Sequence, residues 1–231
     1  MHDRPDALMI FAAGFGTRMR PLTDDRPKPL LEVAGQTLID RALALAAEAK
    51  PQRIVVNLHH LHEMLEAHLS NSPVKTVVEA PCILDTGGGL KNALSMLGEG
   101  PVVTVNPDAI WLGTNPITYA LQAWDAAQME ALLVCVPMEN VLGREMPGDF
   151  SIAADGRLRR GGPQVFGGVQ IMKTDRLRKI KDPAFSLNVV WDQIMADGHL
   201  YGVEYDGSWC DVGRPANIEL AEDMLRNANV S

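Results

Sequence analysis

Between residues 18 and 28 four cations, Arg18, Arg20, Arg26 and Lys28, meet only two acids, Asp24 and Asp25. This gives a local charge of +2 in a chain whose formal net charge is −8. Gly14 and Gly16 stand just ahead of them. Glycines at the end of a strand let the backbone approach a ligand with no Cβ in the way, and the freed N–H groups can be aimed at phosphate oxygens. Cations and N–H donors in one loop are suited to a compact polyanion, whereas a nucleic acid would call for a broad basic face. Pro27 and Pro29 restrict the backbone on both sides of Lys28, so its ammonium is presented from a stiff segment. Farther along, Asp108 follows the β-branched run PVVTVN. A carboxylate just past the C-terminal end of a central parallel strand lies where open α/β sheets bind their ligands.

These residues need a scaffold, and the pattern around them supplies one. The apolar run from Leu8 to Ala13 reads as a short buried strand that turns at Gly14. The stretch TLIDRALALAAEAK at 37–50 has helical spacing and no interior glycine or proline; 53–58 is a strand, 60–69 a helix and 75–80 a strand. Strand and helix alternate as in βαβ units with parallel pairing. Gly87, Gly88 and Gly89 precede or open a helix carrying Leu90, Ala93, Leu94 and Leu97 on one side. Asn115-Pro116 starts a helix expected to run through Gln128, with Asn as N-cap and Pro in the first turn. After a strand at 131–138 the pattern changes, and Phe150 to Arg160 reads as a hairpin about Asp155-Gly156. A strand at 165–172 contains Gly167 and Gly168, which suggest close approach of a ligand or of backbone. A helix at 186–197, a strand at 200–205 and a helix at 215–227 complete the chain. The expectation is an α/β fold over residues 1–231 as one domain, with a mostly parallel, mixed central sheet and a small antiparallel part in the second half.

Several chemistries fail on spacing. GFGTRM has Arg18-Met19 where a dinucleotide fingerprint wants its third glycine, and prolines rather than a helix follow. His59, His60, His62 and His68 crowd together, but six residues separate His62 from His68, where H-E-x-x-H needs four. They read as strand-end and helix-surface residues. Cys82, Cys135 and Cys210 are scattered and odd in number, which fits reduced thiols. No apolar run approaches a membrane span and MHDRPDALM lacks signal-peptide form, so the expectation is a cytoplasmic protein with no membrane partner.

The stretch AAGFGTRMRPLT at 12–23, with PKPLL at 27–31, resembles the sugar-phosphate nucleotidyltransferase signature A-A-G-x-G-T-R-x-x-P-L-T followed by P-K-P-L-L. Glu79 and Leu84 to Gly89 are similar to the family's base-holding L-x-T-G-G-G element. Asn106-Pro107-Asp108 resembles N-G-D with proline for glycine, and Trp209 to Arg214 resembles W-x-D-V-G-T with arginine for threonine. The resemblance covers nearly the whole chain and implies a Rossmann-like (GT-A-like) α/β/α sandwich. It implies that Ala12, Ala13, Gly14, Gly16, Thr17, Arg18, Glu79, Thr86, Gly87 and Gly88 bind a nucleoside triphosphate, and that Lys28, Asn106 and Gly168 bind a sugar 1-phosphate. Asp108 and Asp211 would hold Mg²⁺, with Arg18, Lys28 and both aspartates as the catalytic set. Leu112-Gly113 stand where some relatives carry a further acid after the tryptophan. The GTRMRPLT loop and the D-T-G-G-G element look most like members that join UTP to N-acetylmuramic acid 1-phosphate in peptidoglycan recycling. Members acting on mannose 1-phosphate with GTP or glucose 1-phosphate with dTTP share the signature. A noncatalytic nucleotide-sugar binding module is the alternative from another class, and Pro107 is its motive.

Overall fold

A computed structural model describes residues 4–144 and 147–228, so the first three residues of the N-terminal stretch lie outside it. The chain begins with β1 (Ala7–Phe11), then β2 (Glu32–Val33), β3 (Gln36–Thr37), α1 (Leu38–Ala49), β4 (Arg53–Leu58), α2 (His62–Leu69), β5 (Lys75–Val78) and α3 (Asp85–Leu97). It continues with β6 (Val102–Val105), β7 (Ala109–Leu112), α4 (Pro116–Ala123), β8 (Ala131–Pro137), β9 (Val141–Leu142), β10 (Phe150–Ile152) and β11 (Leu158–Arg160). The last elements are β12 (Gln164–Met172), α5 (Asp175–Lys179), α6 (Leu187–Ala196), β13 (Leu200–Glu204), β14 (Ser208–Asp211) and α7 (Ala216–Ala228).

The main sheet runs β5-β4-β1-β6-β12-β8-β13, with the β10–β11 hairpin attached at the N-terminal end of β12. Strands β5, β4, β1 and β6 are parallel, β12 runs against both β6 and β8, and β13 is parallel to β8. The mixed, mostly parallel sheet and the antiparallel hairpin match the sequence reading. Alternation along β1 explains the layers: Leu8 and Ile10 enter one core with Ile39, Ala42, Leu65 and Ile117, while Ala7 and Met9 enter the other with Leu90, Leu97, Val190 and Ile194. Helices α1, α2 and α4 therefore cover one face, and α3 and α6 the other.

Local chemistry sets the boundaries. Thr37 caps α1 by accepting from the Asp40 N–H (3.2 Å), and Asn115 caps α4 by accepting from Ile117 N (2.9 Å). Helix α4 ends at Ala123, short of the expected Gln128, because Trp124 turns extended and Asp125 binds the N–H of Ala127 at 2.9 Å. A second sheet, β7-β14-β9, sits apart from the first. With α7 it packs Ile110, Cys210, Val212 and Ala221 on Met19, Leu31 and Val33, which anchors both ends of the basic loop to this sheet. Among the described residues no helix is long and apolar enough to cross a membrane.

Candidate active site

A cleft of about 250 Å³ opens at the C-terminal ends of β1, β4 and β6, lined by Ala12 to Gly14, Gly16, Lys28, Asn57, Glu79, Thr86, Asn106 and Asp108 among others. This is where an open parallel sheet is expected to take a ligand. Gly16 has φ +64°, which a side chain would strain, and a Cβ there would lie 2.9 Å from Lys28 Cβ. Among the described residues the N–H groups of Gly14, Phe15 and Gly16 have no protein acceptor, whereas the Gly16 carbonyl is taken by Met19 N (2.8 Å) and the Thr23 hydroxyl (2.9 Å). Of the four loop cations, Arg20 pairs with Asp24 in solvent at 3.3 Å and Arg26 is exposed. Arg18 and Lys28 are the two loop cations whose charges reach Asp108.

Lys28 is the more deeply held, with only 12% of its side chain exposed and its Nζ 2.7 Å from Asp108 Oδ2. Burial alone would push the Asp108 carboxyl up, but the Lys28 ammonium, with Arg18 beyond it, outweighs that and holds it below its ordinary value. Asp211 reaches the same place through the β7–β14 ladder, where it stands opposite Ala109, and Val212 N donates to the Asp108 carbonyl at 2.9 Å. Its carboxyl is pushed up by burial and by the Asp108 charge, partly offset by Lys28, Arg18 and Arg144. A Cβ at Gly213 would lie 2.6 Å from Asp211 Oδ2, which explains the glycine two residues past the acid. Cys210 is buried and its thiol is pushed up to about 11 by that burial and by Asp211, so it stays protonated.

Two adjacent carboxylates form an all-oxygen donor set. Mg²⁺ takes few protein ligands and completes its shell with phosphate oxygens and water, so the pair suits it. Among the described residues no three His, Cys, Asp or Glu side chains gather to enclose an ion. The histidines go to separate partners: His59 to the Glu79 carbonyl, His62 to Glu66 and His68 to Asp40.

Five residues expected to bind ligand also have partners within the protein. Glu79 is buried, with one carboxylate oxygen accepting from Asn57 Nδ2 (2.7 Å) and the other from Leu84 N (2.6 Å). Asn57 in turn accepts the Ala12 N–H at 2.9 Å, so Glu79 fixes the cleft wall instead of offering a free carboxylate. Gly87 and Gly88 are buried in the first turn of α3, off the cleft, with both N–H groups on the Phe185 carbonyl at 2.9 and 3.0 Å. Their lack of Cβ admits the Phe185 ring and the Pro183 carbonyl. The Thr86 hydroxyl, at the cleft, accepts from Leu187 N at 3.0 Å. Gly168 (φ +95°) lies against the Asn106 side chain and its carbonyl accepts the Asn106 N–H at 2.8 Å, while the Trp111 ring fills the space at Gly167, so the paired glycines sit at a bulge in β12 packed by side chains. Asn57 escaped the sequence reading; its signal was an amide at the end of an apolar strand, RIVVNL, where it must be satisfied.

Residues 8–147 match the model of the MobA-like NTP transferase domain. The chain belongs to this nucleotidyltransferase family. It is 39% identical to the N-acetylmuramate alpha-1-phosphate uridylyltransferase of Caulobacter vibrioides, over 99% of this chain and all of that protein. It is 33% identical to the protein of that name in Neisseria meningitidis, over 94% of this chain and 96% of the other. In structure it is similar to a putative glucose-1-phosphate thymidylyltransferase from Bacillus anthracis, with a TM-score of 0.79 over 95% of both chains at 16% identity.

Proposed function

We propose that this enzyme transfers a nucleotidyl group from a nucleoside triphosphate to a sugar 1-phosphate, with UTP and N-acetylmuramic acid 1-phosphate as its pair and peptidoglycan recycling in the cytoplasm as its setting. The observation that carries the reaction class is the pairing of Lys28 with Asp108 at the cleft and the approach of Asp211 from the neighbouring β14, with Arg18 close enough to act on both acids. The substrate pair rests on the two uridylyltransferase relatives, which align along almost the whole chain.

A phosphate monoester is already an anion at neutral pH, so the nucleophile needs no general base and catalysis becomes positioning and charge neutralisation. An oxygen of the sugar phosphate forms a bond to the α-phosphorus. The bond from that phosphorus to the bridging oxygen breaks, and its electron pair leaves with pyrophosphate. The loop N–H groups from Gly14 to Thr17 and Arg18 take the phosphate chain, and Lys28 neutralises the α-phosphate or the sugar phosphate. Asp108 and Asp211 are the residues that would hold Mg²⁺, which supplies positive charge at the α-phosphate when bound. In the free protein the Lys28 ammonium occupies Asp108 (2.7 Å), keeping that carboxylate ionised and the lysine in place. Pro107 is compatible with this, since Asp108 still reaches Lys28. Glu79 serves as a positioning residue for the walls formed by Ala12 and Leu84. Residues 1–231 act as one catalytic domain that takes neither nucleic acid nor membrane as partner.

The test is pyrophosphate release with Mg²⁺ from UTP, GTP, dTTP, CTP and ATP, each against N-acetylmuramic acid 1-phosphate, glucose 1-phosphate and mannose 1-phosphate. Release confined to UTP with the muramic sugar is the expected result. Another active pair would refute the substrate assignment, and nucleotide binding with no release across the panel would support the noncatalytic module.

A further inference from the structure

A second cavity, of about 440 Å³, lies beside Asp211 and is lined by Arg18, Gly143, Arg144, Arg214 and Asn217 as well as that acid. Arg18 lines this cavity and not the cleft. The three guanidinium groups come from three separate segments: the glycine loop, the turn after β9 and the turn before α7. Asn217, buried, ties two of those segments together, with Nδ2 donating to the carbonyls of Gly143 and Asp211 at 2.8 Å each. Arg144 is held from one side by Asp149 at 2.6 Å, while among the described residues exposed Arg214 has no ion-pair partner. Among the described residues Asp211 is the one acid lining the cavity, and Asp149 reaches Arg144 from outside that lining, so the cations outnumber the acids around it.

We propose that Arg144 and Arg214 complete, with Arg18, a receptor for the inorganic pyrophosphate that leaves the reaction; the inference rests on the nucleotidyl transfer above. In-line displacement puts the leaving group across the α-phosphorus from the attacking oxygen. Asp108 lines the cleft and Asp211 the second cavity, so an α-phosphate held between them has its β and γ groups directed toward the arginines. As the electron pair moves onto pyrophosphate its charge rises, and planar guanidinium forks match its oxygens two at a time. Arg214 stands where the resembling W-x-D-V-G-T element has threonine, so this grip is a property of this chain.

The experiment is calorimetric titration of the full chain with inorganic pyrophosphate, for wild type, Arg214→Thr, Arg214→Lys and Arg144→Gln. Each neutral variant is expected to weaken pyrophosphate about tenfold, with Arg214→Lys retaining part of the affinity. In the reverse reaction the KM for pyrophosphate should rise by the same factor while that for the nucleotide-sugar stays unchanged. Absence of pyrophosphate binding by wild type, or unchanged binding in both neutral variants, overturns the proposal. Because Arg144→Gln also breaks the Asp149 pair, Arg214→Thr decides if that variant is unstable. Weaker binding of N-acetylmuramic acid 1-phosphate with pyrophosphate affinity intact also overturns it and moves the arginines to the sugar's carboxylate. Arginine-dependent pyrophosphate binding in a protein inactive on every substrate pair would refute the transfer reaction while leaving this receptor standing.

Discussion

Two glycine segments of this chain look alike in composition and do opposite things. Among the described residues the N–H groups at Gly14 to Gly16 are free of protein acceptors and a Cβ at Gly14 would meet nothing within 4 Å. At Gly87 to Gly89 the first two N–H groups are bound to the Phe185 carbonyl, and each missing Cβ is replaced by another part of the protein: Phe185, Pro183, and Glu79 with Asn57. The first segment leaves space and N–H donors open at the cleft; the second uses glycine to bring α3 onto its neighbours. Glycine content therefore marks close approach, and only the neighbour decides whether the approaching group is substrate or protein.

The largest effect expected is at the residue on which the first segment packs. Lys28→Ala should lower kcat about 10³-fold, on the order of 4 kcal/mol of transition-state stabilisation, with a melting temperature within a few degrees of wild type. Wild-type kinetics in that variant would sink the catalytic role and with it the contrast between the segments. Next comes the packing segment. Gly88→Ala presses a methyl group into the Pro183 carbonyl and should destabilise by roughly 3 kcal/mol, a fall of about 6–12 °C in Tm, while the KM for nucleotide changes little at low temperature. A stable Gly88→Ala protein with a raised nucleotide KM would put the base on that segment after all. Gly14→Ala should show the reverse, with Tm unchanged by differential scanning calorimetry and the KM for nucleoside triphosphate raised about tenfold, or ~1.4 kcal/mol.

The smallest expected change in stability concerns Asp211, whose carboxylate occupies the room left by Gly213. Its pKa is raised by burial and by Asp108, so the folded state binds the proton more tightly than the unfolded chain. Between about pH 4, where the unfolded carboxyl titrates, and that raised value, stability falls as pH rises. At neutral pH the ionised group weakens the fold, and Asp211→Asn should raise Tm by ~2–4 °C while removing turnover. The thermal gain should vanish below about pH 4, where the wild-type carboxyl is also neutral. An Asp211→Asn protein less stable than wild type at pH 7 would show that the acid supports the fold rather than straining it.

Much of the fold was legible because burial on both faces of a parallel sheet forces continuous apolar strands, and β4 fell at Arg53–Leu58 as its pattern required. The end of α4 was less so, because Asp125 competes for backbone N–H groups that an apolar pattern treats as helical. Within the site, the loop cations were visible in type and spacing, but Arg20 and Arg26 looked equivalent to Arg18 and Lys28 until the fold brought the charges of the latter pair to Asp108.

The sequence by itself determined the local chemistry: a stiff lysine between prolines, a glycine turn after a strand, and acids at strand ends, since these follow from backbone sterics and residue type. Only the tertiary structure decided which groups face one another. The β7–β14 register set Asp211 beside Asp108, Lys28 reached across to Asp108, Glu79 was drawn inward by Asn57, and Phe185 filled the space at Gly87. Electrostatic coupling, hydrogen-bond satisfaction and packing depend on distances between residues far apart in the chain, and folding sets those distances.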